Sequence, residues 1–117
     1  MATPQDAVRL IRWTGGQHPT LSNITRQMQR EGLRPYAWEN TPNQRYAVRS
    51  HGFAKIMYVV EGTLEVTFPD SNQRVKMRAG DRIEIPAGVC HSTTVGINGA
   101  HCVEASAQRP QTSPQLP

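Results

Sequence analysis

The stretch Gly80-Asp-Arg-Ile-Glu-Ile-Pro-Ala-Gly-Val-Cys-His91 constrains the fold more than any other part of the 117-residue chain. Ile83 and Ile85 alternate with Arg82 and Glu84, the period of two of a half-buried strand. Pro86 ends that strand because it has no N–H to give to a ladder, and Gly88 supplies a turn. His91 then starts a second apolar-alternating run. A strand, a tight turn and another strand in so short a span call for a β architecture around them.

The rest of the chain agrees. From Leu33 onward, short runs expected as strands lie near 35–39, 44–50, 54–61, 63–68, 73–78, 82–85, 91–96 and 101–105. Between them stand turn signals: Asn40-Thr41-Pro42-Asn43, Glu61-Gly62, Pro69-Asp70-Ser71-Asn72, Ala79-Gly80 and Asn98-Gly99. Many short strands at this spacing imply a sandwich or barrel. Two short helices are expected before them. Thr3-Pro4 reads as a helix start, with Ala7, Val8, Leu10 and Ile11 at helical spacing. A second helix is expected from about Thr20 to Arg30, with Leu21, Ile24 and Met28 as its apolar stripe and Gly32 as its C-terminal cap. The expected organisation is a helical segment over 1–32, a β domain over 33–106 and a disordered, proline-rich tail over 107–117.

Composition excludes some functions. The net charge is +4, but the thirteen Lys and Arg are scattered singly, without the clustering of a nucleic-acid surface. No apolar run approaches the roughly 20 residues of a membrane helix. Met-Ala-Thr-Pro-Gln-Asp has neither the basic nor the apolar region of a secretion signal. The expectation is a cytoplasmic protein whose Cys90 and Cys102 are free thiols. No glycine-rich phosphate loop appears, so no nucleotide cofactor is expected.

The spacing Gly80…Pro86…Gly88…His91 resembles the second sequence motif of the cupins. Upstream, Arg49-Ser-His51-Gly-Phe-Ala-Lys55-Ile-Met-Tyr-Val-Val-Glu-Gly62 is similar to the first cupin motif in altered form. The resemblance covers roughly residues 33 to 105. It implies an all-β jelly-roll barrel, commonly a homodimer. It also implies a site inside the barrel, where cupins gather three histidines and a glutamate on iron, manganese, nickel or zinc. Arg49 occupies the first histidine position, His51 the second, Lys55 the glutamate position, and His91 matches the histidine of the second motif.

These substitutions matter chemically. Residues two apart on a strand share a face, so Arg49 and His51 are expected on the same side. Arginine keeps its proton and cannot ligate, and lysine can ligate only after losing its own. If both cations point inward, they repel a divalent metal and attract a carboxylate or phosphate, with Arg49 as a bidentate fork. If they point outward, they are solvated surface charges, and a one-residue slip would exchange the faces. His51 and His91 are the candidate metal ligands. Glu104 is a possible further ligand, Cys102 a low-grade one and Tyr46 a weaker one, because in a jelly roll the last two strands are expected in facing sheets. His18 and His101 are expected to be exposed and structural.

Three functions remain open at this stage. One is a metal-dependent enzyme, such as a dioxygenase, isomerase or decarboxylase, acting on a small polar molecule. Another is a metal-free sensor or carrier for a small anion held by Arg49, His51, Lys55 and His91. A third is metal-free acid–base catalysis by Lys55 with His51 or His91.

Overall fold

The computed structural model describes residues 7–107. Seven strands and one helix follow in the order β1 (Arg9–Ile11), α1 (Leu21–Arg30), β2 (Tyr36–Asn40), β3 (Arg45–Arg49), β4 (Ala54–Phe68), β5 (Gln73–Met77), β6 (Arg82–Ile85) and β7 (His91–Ala107). Among these residues no helix is long and apolar enough to cross a membrane.

Two long strands organise the sheet. β4 and β7 pair antiparallel along nearly their whole lengths. Their Ala54–Val59 and Cys102–Ala107 halves are flanked by β6 and β2. Their other halves, Leu64–Phe68 and Ser92–Val95, are flanked by β5 and β3. The strands turn a corner between the two halves, so the fold is a jelly roll made of two facing half-sheets. The expected breaks at Gly62 and at Asn98-Gly99 are this corner and do not end strands. Thr63 of β4 stands opposite the whole of Gly96–Gly99 on β7. Gly62 has φ +82°, and a Cβ there would strike the carbonyl oxygen of Gly99. Only glycine fits such close backbone contact at positive φ.

The corner also changes which residues face inward. Before it, odd positions of β4 (Met57, Val59) join the main core; after it, even positions (Leu64, Val66, Phe68) do. On β7 the inward set changes from Val95 to Ala100 and Cys102. Strand alternation admits only one parity, so the register shifts at Val59–Glu61 and Gly62–Leu64 are what keep apolar residues inside both halves.

The outward face of the first half is a second core. Ile56, Val60, Val103, Ala105 and Ala107 pack under Ile24 and Met28 of α1 and under Leu33. Thr20 caps the helix by accepting from the Asn23 N–H at 3.1 Å, and Gly32 closes its end at φ +83°. Leu21, expected in the buried stripe, is 37% exposed. Arg82 of β6 pins the helix end: its guanidinium donates to both Glu31 oxygens at 2.9 Å, to Tyr58 Oη at 2.8 Å and to Glu84 at 2.8 Å.

The first expected helix is corrected. Its cap at Thr3-Pro4 lies outside the described residues, but Arg9–Ile11 is a strand with Leu10 opposite Ile83. Val8 and Leu10 alternate into the core. Asp81 anchors the strand by accepting from the Trp13 N–H at 2.9 Å and from Arg12 Nη1 at 2.7 Å. The unpaired edge of β6 outweighs a short segment's helical spacing, since one or two helical turns are marginal alone. The tail expected over 107–117 also lies outside the described residues, apart from Ala107, which ends β7.

Candidate functional site

A cavity of about 320 Å³ opens between the two halves of the jelly roll. Four strands and one loop line it. Tyr36 and Trp38 come from β2, Tyr46 and Arg49 from β3, His51 and Phe53 from the β3–β4 loop, Lys55 from β4, and Glu104 and Ser106 from β7.

The backbone explains each placement. Tyr36 is opposite Glu104 and Trp38 opposite Cys102, so these share the inward face of the first half-sheet. Lys55 precedes Met57 and Val59 in the inward set, while Ile56 faces the helix. Tyr46 and Arg49 are three apart, a spacing that would put them on opposite faces of a regular strand. A register shift between them returns Arg49 to the cavity side, opposite His91.

The charges have a definite arrangement. Lys55 Nζ is 3.4 Å from Glu104 Oε2 in a pair with side chains only 13% and 11% exposed. Tyr36 donates its hydroxyl to the same oxygen at 2.7 Å. Burial, reinforced by the Glu104 hydrogen bond and charge, pushes the Tyr36 phenol up to about 12. Arg49 lies at the exposed mouth, its guanidinium carbon 5.5 Å from the centroid of the Tyr46 ring. Two cations and one carboxylate leave the cavity with one excess positive charge.

The two site histidines, His51 and His91, are both held below the usual imidazole range. Burial lowers the His51 pKa, and Lys55 and Arg49 lower it further. Burial likewise lowers that of His91, aided by Lys55, His51 and Arg49 against a raising hydrogen bond to Val89. The His91 Nδ1–H donates to Val89 O at 3.0 Å. Its ring centroid is 5.5 Å from that of His51, but His91 is buried and does not line the cavity.

The metal set implied by the resemblance does not fit these residues. Among the described residues, no three His, Cys, Asp or Glu side chains are grouped to hold a metal ion. Glu104, expected as a possible extra ligand, lines the cavity but is engaged by Lys55 and Tyr36. Cys102 is fully buried, with its thiol pushed up to about 12 chiefly by burial. A like charge ~4 Å from a cation costs on the order of 4 kcal/mol per contact at an effective dielectric near 20. His51 and His91 alone are fewer ligands than zinc sites ordinarily use.

Several lining residues escape the sequence motifs. Tyr36, Trp38, Phe53 and Ser106 carry no motif signal. The available clue is alternation: Tyr36 and Trp38 are two apart on a strand, as are His51 and Phe53 in the loop. Trp38 and Tyr46 meet edge to face with centroids 5.9 Å apart. His51 and Phe53 stack at 5.0 Å with their planes 23° apart. Trp38 Nε1 and His51 Nε2 are buried without hydrogen-bond partners among the described residues. His18 is exposed, as expected. His101 is half-buried between Glu39 and Glu61 on the neighbouring strands.

The comparisons with known proteins agree with this architecture. Residues 38–96 match the Cupin_2 family, described as a cupin domain. No curated protein matches the chain. Among solved structures, an RmlC-like cupin from Shewanella frigidimarina is similar at 21% identity, over 66% of this chain and 67% of that one, with a TM-score of 0.57. A protein of unknown function from Rhizobium leguminosarum is similar at 18% identity, over 66% and 71% of the two chains, with a TM-score of 0.59. The polyketide cyclase RemF from Streptomyces resistomycificus reaches 25% identity, over 67% of this chain and 56% of that one, with a TM-score of 0.58. With the match spanning half of its length, and with both halves of the jelly roll in place, this chain belongs to the cupin-domain family.

Proposed function

We propose that this cupin binds a small organic anion in its barrel cavity and does so without a metal ion. The observation that carries the reading is the placement of Arg49 and Lys55 in the lining of one cavity whose only carboxylate among the described residues is Glu104. Arg49 has the fork geometry that suits a carboxylate. Lys55 adds a positive point charge that Glu104 only balances. The neutral His51 offers a hydrogen bond from a ring that brings no further charge at pH 7. The cavity size falls within the range of small-ligand pockets.

Thermal unfolding in graded acetate, benzoate and inorganic phosphate tests the reading. A ligand at 100 times its Kd stabilises by about 2.7 kcal/mol, so a clear rise in Tm is expected for at least one anion. The rise should vanish in Arg49→Met. A wild-type Tm indifferent to all three anions would overturn the proposal. So would near-stoichiometric transition metal in protein purified without a histidine tag, lost on His51→Ala.

A further inference from the structure

We infer that the anion is a flat, conjugated monocarboxylate of about the size of benzoate, its carboxylate on Arg49 and its ring among Trp38, Tyr46 and Phe53. The inference rests on the anion-binding reading and narrows it in shape and in charge.

Shape comes from the walls. Four of the nine lining residues are aromatic: Tyr36, Trp38, Tyr46 and Phe53. That is a large share in a chain with only 6% aromatic residues. They are also preset. The edge-to-face contact of Trp38 with Tyr46 and the stack of Phe53 on His51 hold the rings in fixed planes. Flat faces in set planes favour a flat ligand over a puckered one of equal area, because aromatic pairs prefer offset-stacked or edge-to-face geometries.

Charge comes from Glu104. Its carboxylate sits in the cavity wall with Lys55 at 3.4 Å and the Tyr36 hydroxyl at 2.7 Å on the same oxygen. Lys55 is therefore already balanced, and among the described lining residues the cation left without a carboxylate partner is Arg49 at the mouth. A second negative charge at the deep end of a ligand would meet Glu104. Monoanions are favoured and dianions refused.

A third observation concerns hydrogen bonds. The only buried side-chain polar atoms without partners among the described residues are Trp38 Nε1 and His51 Nε2, and both belong to residues lining this cavity. Buried orphans of this kind often mark a place where a ligand or water completes the bonding. The indole N–H can only donate, so it suits a ligand with an acceptor.

Titration calorimetry on the full chain at pH 7 with benzoate, acetate, cyclohexanecarboxylate, benzamide and terephthalate separates these features. Benzoate is expected to bind at least ~10-fold more tightly than acetate or cyclohexanecarboxylate, given the usual size of aromatic contacts. Benzamide and terephthalate should each bind more weakly than benzoate. In an amide correlation spectrum, the Trp38 indole signal, identified by its loss in Trp38→Phe, should move with benzoate. The Trp13 signal should stay, because its indole N–H is already held by Gln17 O at 3.0 Å.

If acetate or phosphate binds but benzoate binds no better, the flat-ligand inference falls while anion binding stands. Terephthalate equal to benzoate overturns the charge limit set by Glu104. Benzamide equal to benzoate, or no binding by any anion, overturns the anionic reading itself.

Discussion

Glu104→Gln is the most informative single change. Glutamine keeps the shape of the side chain and an oxygen for the Tyr36 hydroxyl, 2.7 Å away in the native protein. What disappears is the negative charge 3.4 Å from Lys55 Nζ. The cavity then goes from one excess positive charge to two. For a bound carboxylate roughly 6 Å from residue 104, removing that repulsion is worth about 3 kcal/mol at an effective dielectric of 20. The open mouth at Arg49 admits water and screens part of it, so about 1.5 kcal/mol is the lower figure. Anion affinity should therefore rise between ~10-fold and ~100-fold, since 1.4 kcal/mol is a factor of ten. The ligand-free protein should move the other way. Lys55 is left with little exposure and no counter-charge, a change worth a few kcal/mol at most in a partly buried pair. Each kcal/mol lowers the Tm of a domain of this size by roughly 4 °C. Calorimetry with benzoate and a melting curve on the same preparations check both signs. Unchanged or weaker anion binding in Glu104→Gln would refute the argument, because it would mean that Glu104 does not act on the ligand through its charge.

Other outcomes follow from the same structure. His51 and His91 have folded pKa values below the usual 6.5. The unfolded chain therefore binds more protons in the window just below 6.5, and stability should be full above it and fall as pH drops through it. A bound anion raises the His51 pKa, so binding takes up a proton and affinity should increase as pH falls below 6.5, opposite in sign to the stability; melting and titration at pH 5.5 and 7.5 read the two. Gly62→Ala should destabilise by roughly 1–3 kcal/mol or more in a chemical denaturation curve, from the strain of a side chain at φ +82° and the clash with Gly99 O. Met28→Ala, which empties a fully buried position beneath α1, should cost about 2–5 kcal/mol and leave anion binding within twofold. The double change Arg49→His and Lys55→Glu should create divalent-metal affinity measurable by calorimetry, because it replaces both cavity cations with ligating groups.

Much of the fold was legible in the residues. The Gly80–His91 spacing, the period-two runs and the turn residues placed β2, β3, β5 and β6 within a residue or two, while β4 and β7 were each expected as two strands broken at the corner. Thr20 and Gly32 bounded α1, because capping is local chemistry of neighbouring backbone groups. Contacts with distant partners were less legible: nothing around Arg82 revealed that it would clamp Glu31, 51 residues away. The N-terminal segment misled for a related reason. Val8, Leu10 and Ile11 fit a helical face and a strand equally over so few residues, and the free edge of β6 decided between them.

The candidate site divides along the same line. The sequence alone showed which residues stand at the motif positions, and hence that Arg49 and Lys55 are cations where the resemblance to cupins implies metal ligands. Side-chain chemistry is a property of the residue, so that conclusion needed no coordinates. Tertiary structure alone decided which way those cations point and what faces them. The bulge in β3 that turns Arg49 inward, the parity change across Gly62 and the pairing of β2 with β7 that carries Tyr36 to Glu104 are all register effects. Register depends on which strands meet, and a shift of one residue exchanges the faces of everything beyond it.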